Sequence, residues 1–485
     1  MELILISIIA SIITYFVPKG MAKMVALLGA ILTLAYNSFM LQSFVADGTK
    51  KFVFDTPWFS DAVHFSVGID GISMLMLLLT NILMVVILLG AMRKEWKRES
   101  LFYSLILFMQ AALIGVFVSN DGIMFYVFWE LALIPIYFLC ALWSETGDYK
   151  TTTRFFIYTF MGSLAMLGSF IYLGSKGLVD GHTFAYDNLV AVKLSTTESM
   201  WVGLGIFIAF AVKIPLLPFN AWQPSTYAES PTPASQLLSG IMLKMGLYGL
   251  IRWFFPMVPE TYEFWSNLII ILGVIAVIHG ALIAIRQNGM KRLTAFASLS
   301  HVGLIAAGIA TISIVGLQGA LVQMFAHGIN VVGIFLCIDI IQRRTHTRDL
   351  TQLGGIAKQA PYFAALFLIL VLGTMAVPFT NGFPGEILLL KSIFEYHTLL
   401  GVIAGLTVIL CAVYMLRMYQ KGMLGRPNGE TFDFPDLQKS EWPALIILSA
   451  MVIGMGIYPQ WIVELTEASS ENILNMIKET VEGVS

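Results

Sequence analysis

Apolar residues along this chain neither alternate nor fall into narrow amphipathic stripes; they come in long runs separated by short polar connections. Wound as a helix, a run of ~20 residues spans the ~30 Å hydrocarbon core of a bilayer. The pattern predicts membrane-crossing helices at 3–17, 23–42, 70–92, 101–119, 122–143, 155–175, 200–218, 234–255, 264–286, 294–313, 316–342, 361–397 (interrupted), 399–419 and 443–463. The expected fold class is therefore all-α, a polytopic membrane protein of about 14 transmembrane helices, because helices satisfy their own backbone polar groups in lipid.

Two segments break in the middle. The seventh runs Phe210-Ala-Val-Lys213-Ile-Pro215-Leu-Leu-Pro218, and the twelfth contains Val377-Pro378 and Pro384-Gly385-Glu386. Proline removes a backbone donor, and opened backbone at membrane depth is tolerated only against protein or a wet cavity. Such paired breaks in the two halves of a transporter point to an ion site on an inverted repeat. Lys213 and Glu386 stand 173 positions apart, Glu130 and His301 171, and Lys244 and Arg417 173. These offsets suggest two inverted five-helix repeats, helices 4–8 and 9–13. The expected organisation is one membrane domain, 1–485, with N-terminal helices in 1–100, a first repeat at 101–255 and a second at 264–419. A last helix at 443–463 and a short amphipathic tail at 464–485, lying on the outer surface, complete it.

Composition agrees with this reading. Of 485 residues, 58% are hydrophobic and 12% charged, about half the charged share of a soluble domain. A net charge of −2 and the lack of a concentrated basic face exclude a nucleic-acid partner. Connections after odd-numbered helices carry 19 Lys and Arg, those after even-numbered helices five. Cytoplasmic loops accumulate these residues, so both termini are expected outside. The opening apolar stretch lacks the basic start and small-residue cleavage pattern of a signal peptide and is taken as the first helix. Cys140, Cys337 and Cys411 are isolated, without metal-ligand spacing; they are expected to be packing residues, and no metal site or bound cofactor is expected in this chain.

The candidate chemistry is the set of ionisable residues at mid-membrane depth: Glu130, Lys213, Lys244, His301, His327 and Glu386. A carboxylate at the centre of a spanning helix costs at least ~2.5 kcal/mol, so it requires a partner or water. A buried lysine changes its proton affinity as neighbouring charges move, whereas arginine stays charged. Rows of Glu, Lys and His through a bilayer are the usual parts of a proton relay. Each residue also has a structural reading: Glu130 in a static pair with a lysine, Lys213 holding broken-helix carbonyls, the histidines bonded to carbonyls between helices. Lys391 is expected to snorkel toward the membrane edge, and Glu145 and Asp339 to neutralise basic loops. No Ser/His or metal constellation supports an intramembrane enzyme.

Several strings are specific. Phe128-Trp-Glu-Leu131 followed by Pro135, Phe210 to Pro218, Ala228-Glu-Ser-Pro-Thr-Pro233, Leu243-Lys-Met-Gly-Leu-Tyr-Gly249, Lys291 to His301, His327-Gly328 and Thr345-His-Thr-Arg-Asp349 resemble the antiporter-like subunits of respiratory complex I. The resemblance covers most of 100–392, in order. It extends to relatives in multisubunit sodium/proton antiporters and membrane-bound hydrogenases. Glutamate at the break of the twelfth helix, where other branches carry lysine, looks like the M-type branch. The resemblance implies the fourteen-helix fold and proton-transfer roles for Glu130, Lys213, Lys244, His301, His327 and Glu386. It also implies a place among L-type and N-type antiporter-like neighbours in the bacterial inner membrane, with FMN and iron-sulfur clusters held by partner subunits. A sodium/proton antiporter or hydrogenase subunit is the alternative within the family, and a passive membrane spacer the alternative outside it. The chain departs from the family at Ser225-Thr-Tyr227, where a histidine is common, and it lacks the long lateral helix of the L-type.

Overall fold

The computed structural model describes residues 1–147, 149–177 and 182–482, with side chains as far as 478. Among these residues ten helices are long and apolar enough to cross a membrane, or eleven if the bent pair Trp442–Ile457 and Gln460–Lys478 counts as one span. The other expected segments are present as shorter or interrupted helices: Glu2–Phe16, Thr196–Lys213, and Pro361–Thr374 followed by Gly382–Tyr396.

Polar residues start many of these helices, because the first N–H groups lack helical partners. Asp70 Oδ1 accepts from Ser73 N at 2.9 Å, Asp121 Oδ1 from Ile123 N and Met124 N at 2.8 and 2.9 Å, and Ser313 Oγ from Gly316 N at 3.1 Å. Met290–Ile309 and Ile314–Thr345 are almost wholly buried and form the centre of the bundle. Tyr262–Arg286 and Thr398–Met423 flank them and turn Ile275, Leu282, Leu406 and Ile409 outward, where lipid would receive them.

The fold is all-α as expected, with one short strand pair among the described residues. Lys51–Ser60 and Val63–Ile69 form an antiparallel hairpin in the connection after the second helix, with Asp55 opposite Ser66 and Pro57 opposite His64. The aromatic and β-branched residues there are too few to span a bilayer, and they suit a hairpin at the bundle's edge. The amphipathic tail is a helix, Gln460–Glu482, bent by 70° from the last span. Its Ser469 Oγ accepts from Gly71 N at 3.0 Å, Thr466 Oγ1 donates to Gln318 Oε1 at 2.9 Å, and Asn472 Nδ2 donates to Gly48 O at 3.0 Å. It thus straps two spans and the start of the hairpin together.

Candidate functional site

Glu130 sits where its helix breaks. Pro135 cannot donate to Leu131 O, and the segment divides into Gly122–Leu131 and Leu133–Leu142. Lys213 is the last residue of Thr196–Lys213, a position where the negative end of the helix dipole favours a cation. Its Nζ is buried without a hydrogen-bond partner and stands 5.1 Å from the centre of the Trp129 ring. Glu130 Oε1 is likewise unpartnered, so the lysine pairing considered for Glu130 is not a closed ion pair with Lys213; Trp129 occupies the lysine's near side. The two are within electrostatic reach of each other.

Lys244 lies on the next span, in Leu243–Gly249, between π-helical turns at Leu238–Met242 and Leu250–Phe254. Such turns loosen the backbone ladder and recur at functional sites. Lys244 Nζ donates to Ser239 O at 2.7 Å and lies 2.8 Å from His327 Nδ1. Gly246 brings this helix against the first break: an added Cβ would lie 2.6 Å from Ile214 Cγ1 and 3.3 Å from Lys213 Cβ.

Beyond His327 the order differs from the order along the chain. Lys244 meets His327 directly, and His301 comes next, its ring centre 6.0 Å from that of His327. His301 Nε2 is 3.4 Å from Tyr414 Oη and 3.5 Å from Cys411 Sγ. Cys411 also donates to Thr374 O at the edge of the second break. Glu386, 3% exposed, has neither carboxylate oxygen bonded, and it lies within electrostatic reach of Cys411 and Tyr414. Gly385 sets it against the neighbouring span, where an added Cβ would lie 2.8 Å from Gln323 N.

A cavity of about 20 Å³ adjoins the two imidazoles, lined also by Gln323, Asn330, Ser298 and Thr374. Ser298 Oγ, His301 Nδ1, Gln323 Oε1, His327 Nε2 and Asn330 Oδ1 are buried without protein partners. A space of that size admits about one water molecule, and such a lining suits water rather than hydrocarbon.

The sequence profile described as NADH:quinone oxidoreductase/Mrp antiporter, transmembrane, matches residues 119–411, which hold every residue of this row. The chain belongs to this antiporter family. Among curated relatives, NADH-quinone oxidoreductase subunit M of Rickettsia conorii is 35% identical over 93% of this chain and 92% of its own length. Subunit M of Escherichia coli K12 is 34% identical over 87% and 84%. A chain of respiratory complex I from Thermus thermophilus superposes with a TM-score of 0.90 at 29% identity, covering 98% of this chain and 99% of its own. A chain of the Mrp complex from Dietzia shares the fold at 20% identity, TM-score 0.84, covering 98% and 97%.

In this member of the antiporter family the remaining charges lie off the row. Glu145 pairs with Lys291 and Arg348, as its expected neutralising role requires. Burial pulls its carboxyl upward, but those two cations overcome this and hold it below the ordinary range. Asp339 pairs with Arg343 at 2.6 Å. Lys391, 58% exposed, reaches Glu395 at 3.7 Å, in keeping with an edge position. Arg417 binds Gln287 O and Asn288 Oδ1, both at 2.7 Å, in a connection between helices, so its spacing from Lys244 does not mark equivalent sites. Trp129, Tyr414 and Cys411 carry contacts that sequence reasoning missed. Only Trp129 had a signal, its place beside Glu130 in Phe128-Trp-Glu-Leu131.

Proposed function

We propose that this chain is the M-type, proton-translocating membrane-arm subunit of a bacterial NADH:quinone oxidoreductase. The observation that carries the reading is the buried contact of Lys244 with His327, continued through His301 toward Glu386. One hydrogen lies between the Lys244 and His327 nitrogens, and its transfer changes which of them is charged without moving a heavy atom. The neighbouring cavity is sized for the water that would carry a proton between the imidazoles. Glu130 and Lys213 form the input-side switch: a charge change in an adjacent subunit alters their interaction and so the lysine's hold on its proton. Glu386 is the exit-side carrier.

The chain contributes no redox chemistry in this reading. FMN and iron-sulfur clusters belong to partner subunits, and L-type and N-type antiporter-like subunits flank it. The subunit lies in the inner membrane. The excess of Lys and Arg in alternate connections supports both termini outside, with the hairpin on the same side. Relatives at 34 to 35% identity over most of their length bear the subunit M name, whereas likeness to the Mrp complex is one of fold alone. The test is NADH-driven acidification of inverted vesicles carrying Glu130→Ala or Lys213→Ala. Pumping is expected to be lost while the complex assembles and sodium remains unnecessary; pumping at the parental rate would refute the assignment.

A further inference from the structure

The hairpin carries a cluster that the proton row does not use. Asp55 and His64 meet diagonally across the two strands, and His182 approaches from the segment before Tyr186. His64 Nδ1 is 2.8 Å from Asp55 Oδ2, and His182 Nδ1 is 3.6 Å from Asp55 Oδ1. One ligand atom from each of the three lies within 4.8 Å of the others. The imidazoles stack, with centroids 3.9 Å apart and planes inclined by 12°. Asp55 is 42% exposed and the histidines partly buried, so the cluster opens to solvent.

Asp121 supports the arrangement from beneath. It is fully buried, and its Oδ2 lies 2.8 Å from His182 Nε2 and accepts from His64 N at 3.2 Å. A carboxylate that takes the Nε2 hydrogen leaves the Nδ1 lone pair free, which is how metal-ligating histidines are usually held. A simple Asp–His ion pair would need one imidazole. Here two Nδ1 atoms address a single exposed carboxylate.

We propose that Asp55, His64 and His182 bind a divalent transition-metal ion of the zinc class, with Asp121 orienting His182 from behind. Two imidazoles and a carboxylate suit zinc, nickel or copper, and solvent completes the coordination. Parallel rings cannot both direct a lone pair at one ion, so binding fans them apart and exchanges their stacking for two metal–nitrogen bonds. The cysteine count excludes thiolate sites but is silent on this one, whose three residues are separated by 9 and 118 positions. A bound ion ties the hairpin to the segment before Tyr186. Through Asp121, the N-cap of Gly122–Leu131, it also bears on the helix that carries Glu130.

The experiment titrates Zn2+ into the purified, assembled membrane complex containing this chain, in competition with a chromophoric chelator. Wild-type complex and a His64→Gln/His182→Gln variant are compared. The variant is expected to bind one zinc ion fewer, and Asp121→Asn to bind that ion roughly tenfold or more weakly. X-ray absorption of the stoichiometric wild-type complex should show imidazole nitrogens at ~2.0–2.1 Å. Equal zinc counts in wild type and variant would overturn the proposal. If the double variant does not assemble, Asp55→Asn, at a solvent-facing position, is read in the same way.

Discussion

The two broken helices use the same backbone device and load it oppositely. In the first, Ile214 N bonds Phe210 O, Leu216 N bonds Ala211 O and Phe219 N bonds Leu216 O; in the second, Met375 N bonds Val371 O, Val377 N bonds Leu372 O and Thr380 N bonds Val377 O. Position 214 thus corresponds to 375, 216 to 377 and 219 to 380, a displacement of 161 rather than 173. On that register Lys213 corresponds to Thr374 and Glu386 to Ser225. The lysine ends the upstream half-helix, where the dipole favours a cation, whereas the glutamate is the fifth residue of the downstream half, past the first turn whose amides favour an anion. Lys213 has an aromatic face and a nearby carboxylate, whereas Glu386 has no bonded partner. A shared backbone break therefore does not dictate where the ionisable group sits. It opens carbonyls and space, and either half can carry the side chain.

The sharpest way to break this comparison is at the second charge. Glu386→Ala should lower NADH-driven proton pumping roughly a hundredfold or more, the range for losing one proton-transfer group, in vesicles where the complex is assembled. Unchanged pumping would make the second break purely structural. Next come the glycines that seat each charge. At Gly385 a methyl group meets the Gln323 backbone, so Gly385→Ala should cost ~1–3 kcal/mol and visibly lower the melting temperature of the complex. At Gly246 the nearest atom is Cγ1 of the Ile214 side chain rather than backbone, so Gly246→Ala should shift it less. Trp129→Leu removes an interaction the second break lacks, worth ~0.5–2 kcal/mol, and should slow turnover a few-fold in steady-state assays without abolishing it. The smallest effect lies away from both breaks, at Lys50. Burial, with the Arg252 charge beside it, lowers its ammonium from the ordinary 10.5 to about 8, and Asp187 and Asp70 only partly oppose this. The neutral, nucleophilic amine therefore appears at lower pH than on an exposed lysine. Its acylation rate, followed by peptide mass spectrometry, should reach half its maximum near pH 8, where exposed lysines remain mostly unreactive.

Much of the site could be read before any coordinates. Prolines beside Lys213 and near Glu386 announced the breaks, and Lys244, His301 and His327 stood out as ionisable residues in apolar runs. Their order could not be read, because His327 reaches Lys244 across 83 positions while His301 turns toward Tyr414 and Cys411. Cys411, expected to be a packing residue, shows the limit well: nothing in its surroundings along the chain separates a packing thiol from one touching an imidazole. The offset of 173 misled because it aligned charges, and the hydrogen bonds align backbone instead.

The sequence by itself determined that the chain is a bundle of apolar helices, where those helices are interrupted, and which ionisable groups lie within them. Those properties are local: apolar length, proline geometry and side-chain chemistry act within a few residues. The tertiary structure alone decided which groups touch, that Trp129 and not Glu130 lies against Lys213, and that Asp55, His64 and His182 meet at the hairpin. Contacts between distant segments depend on how helices rotate and pack against one another, and no run of neighbouring residues encodes that.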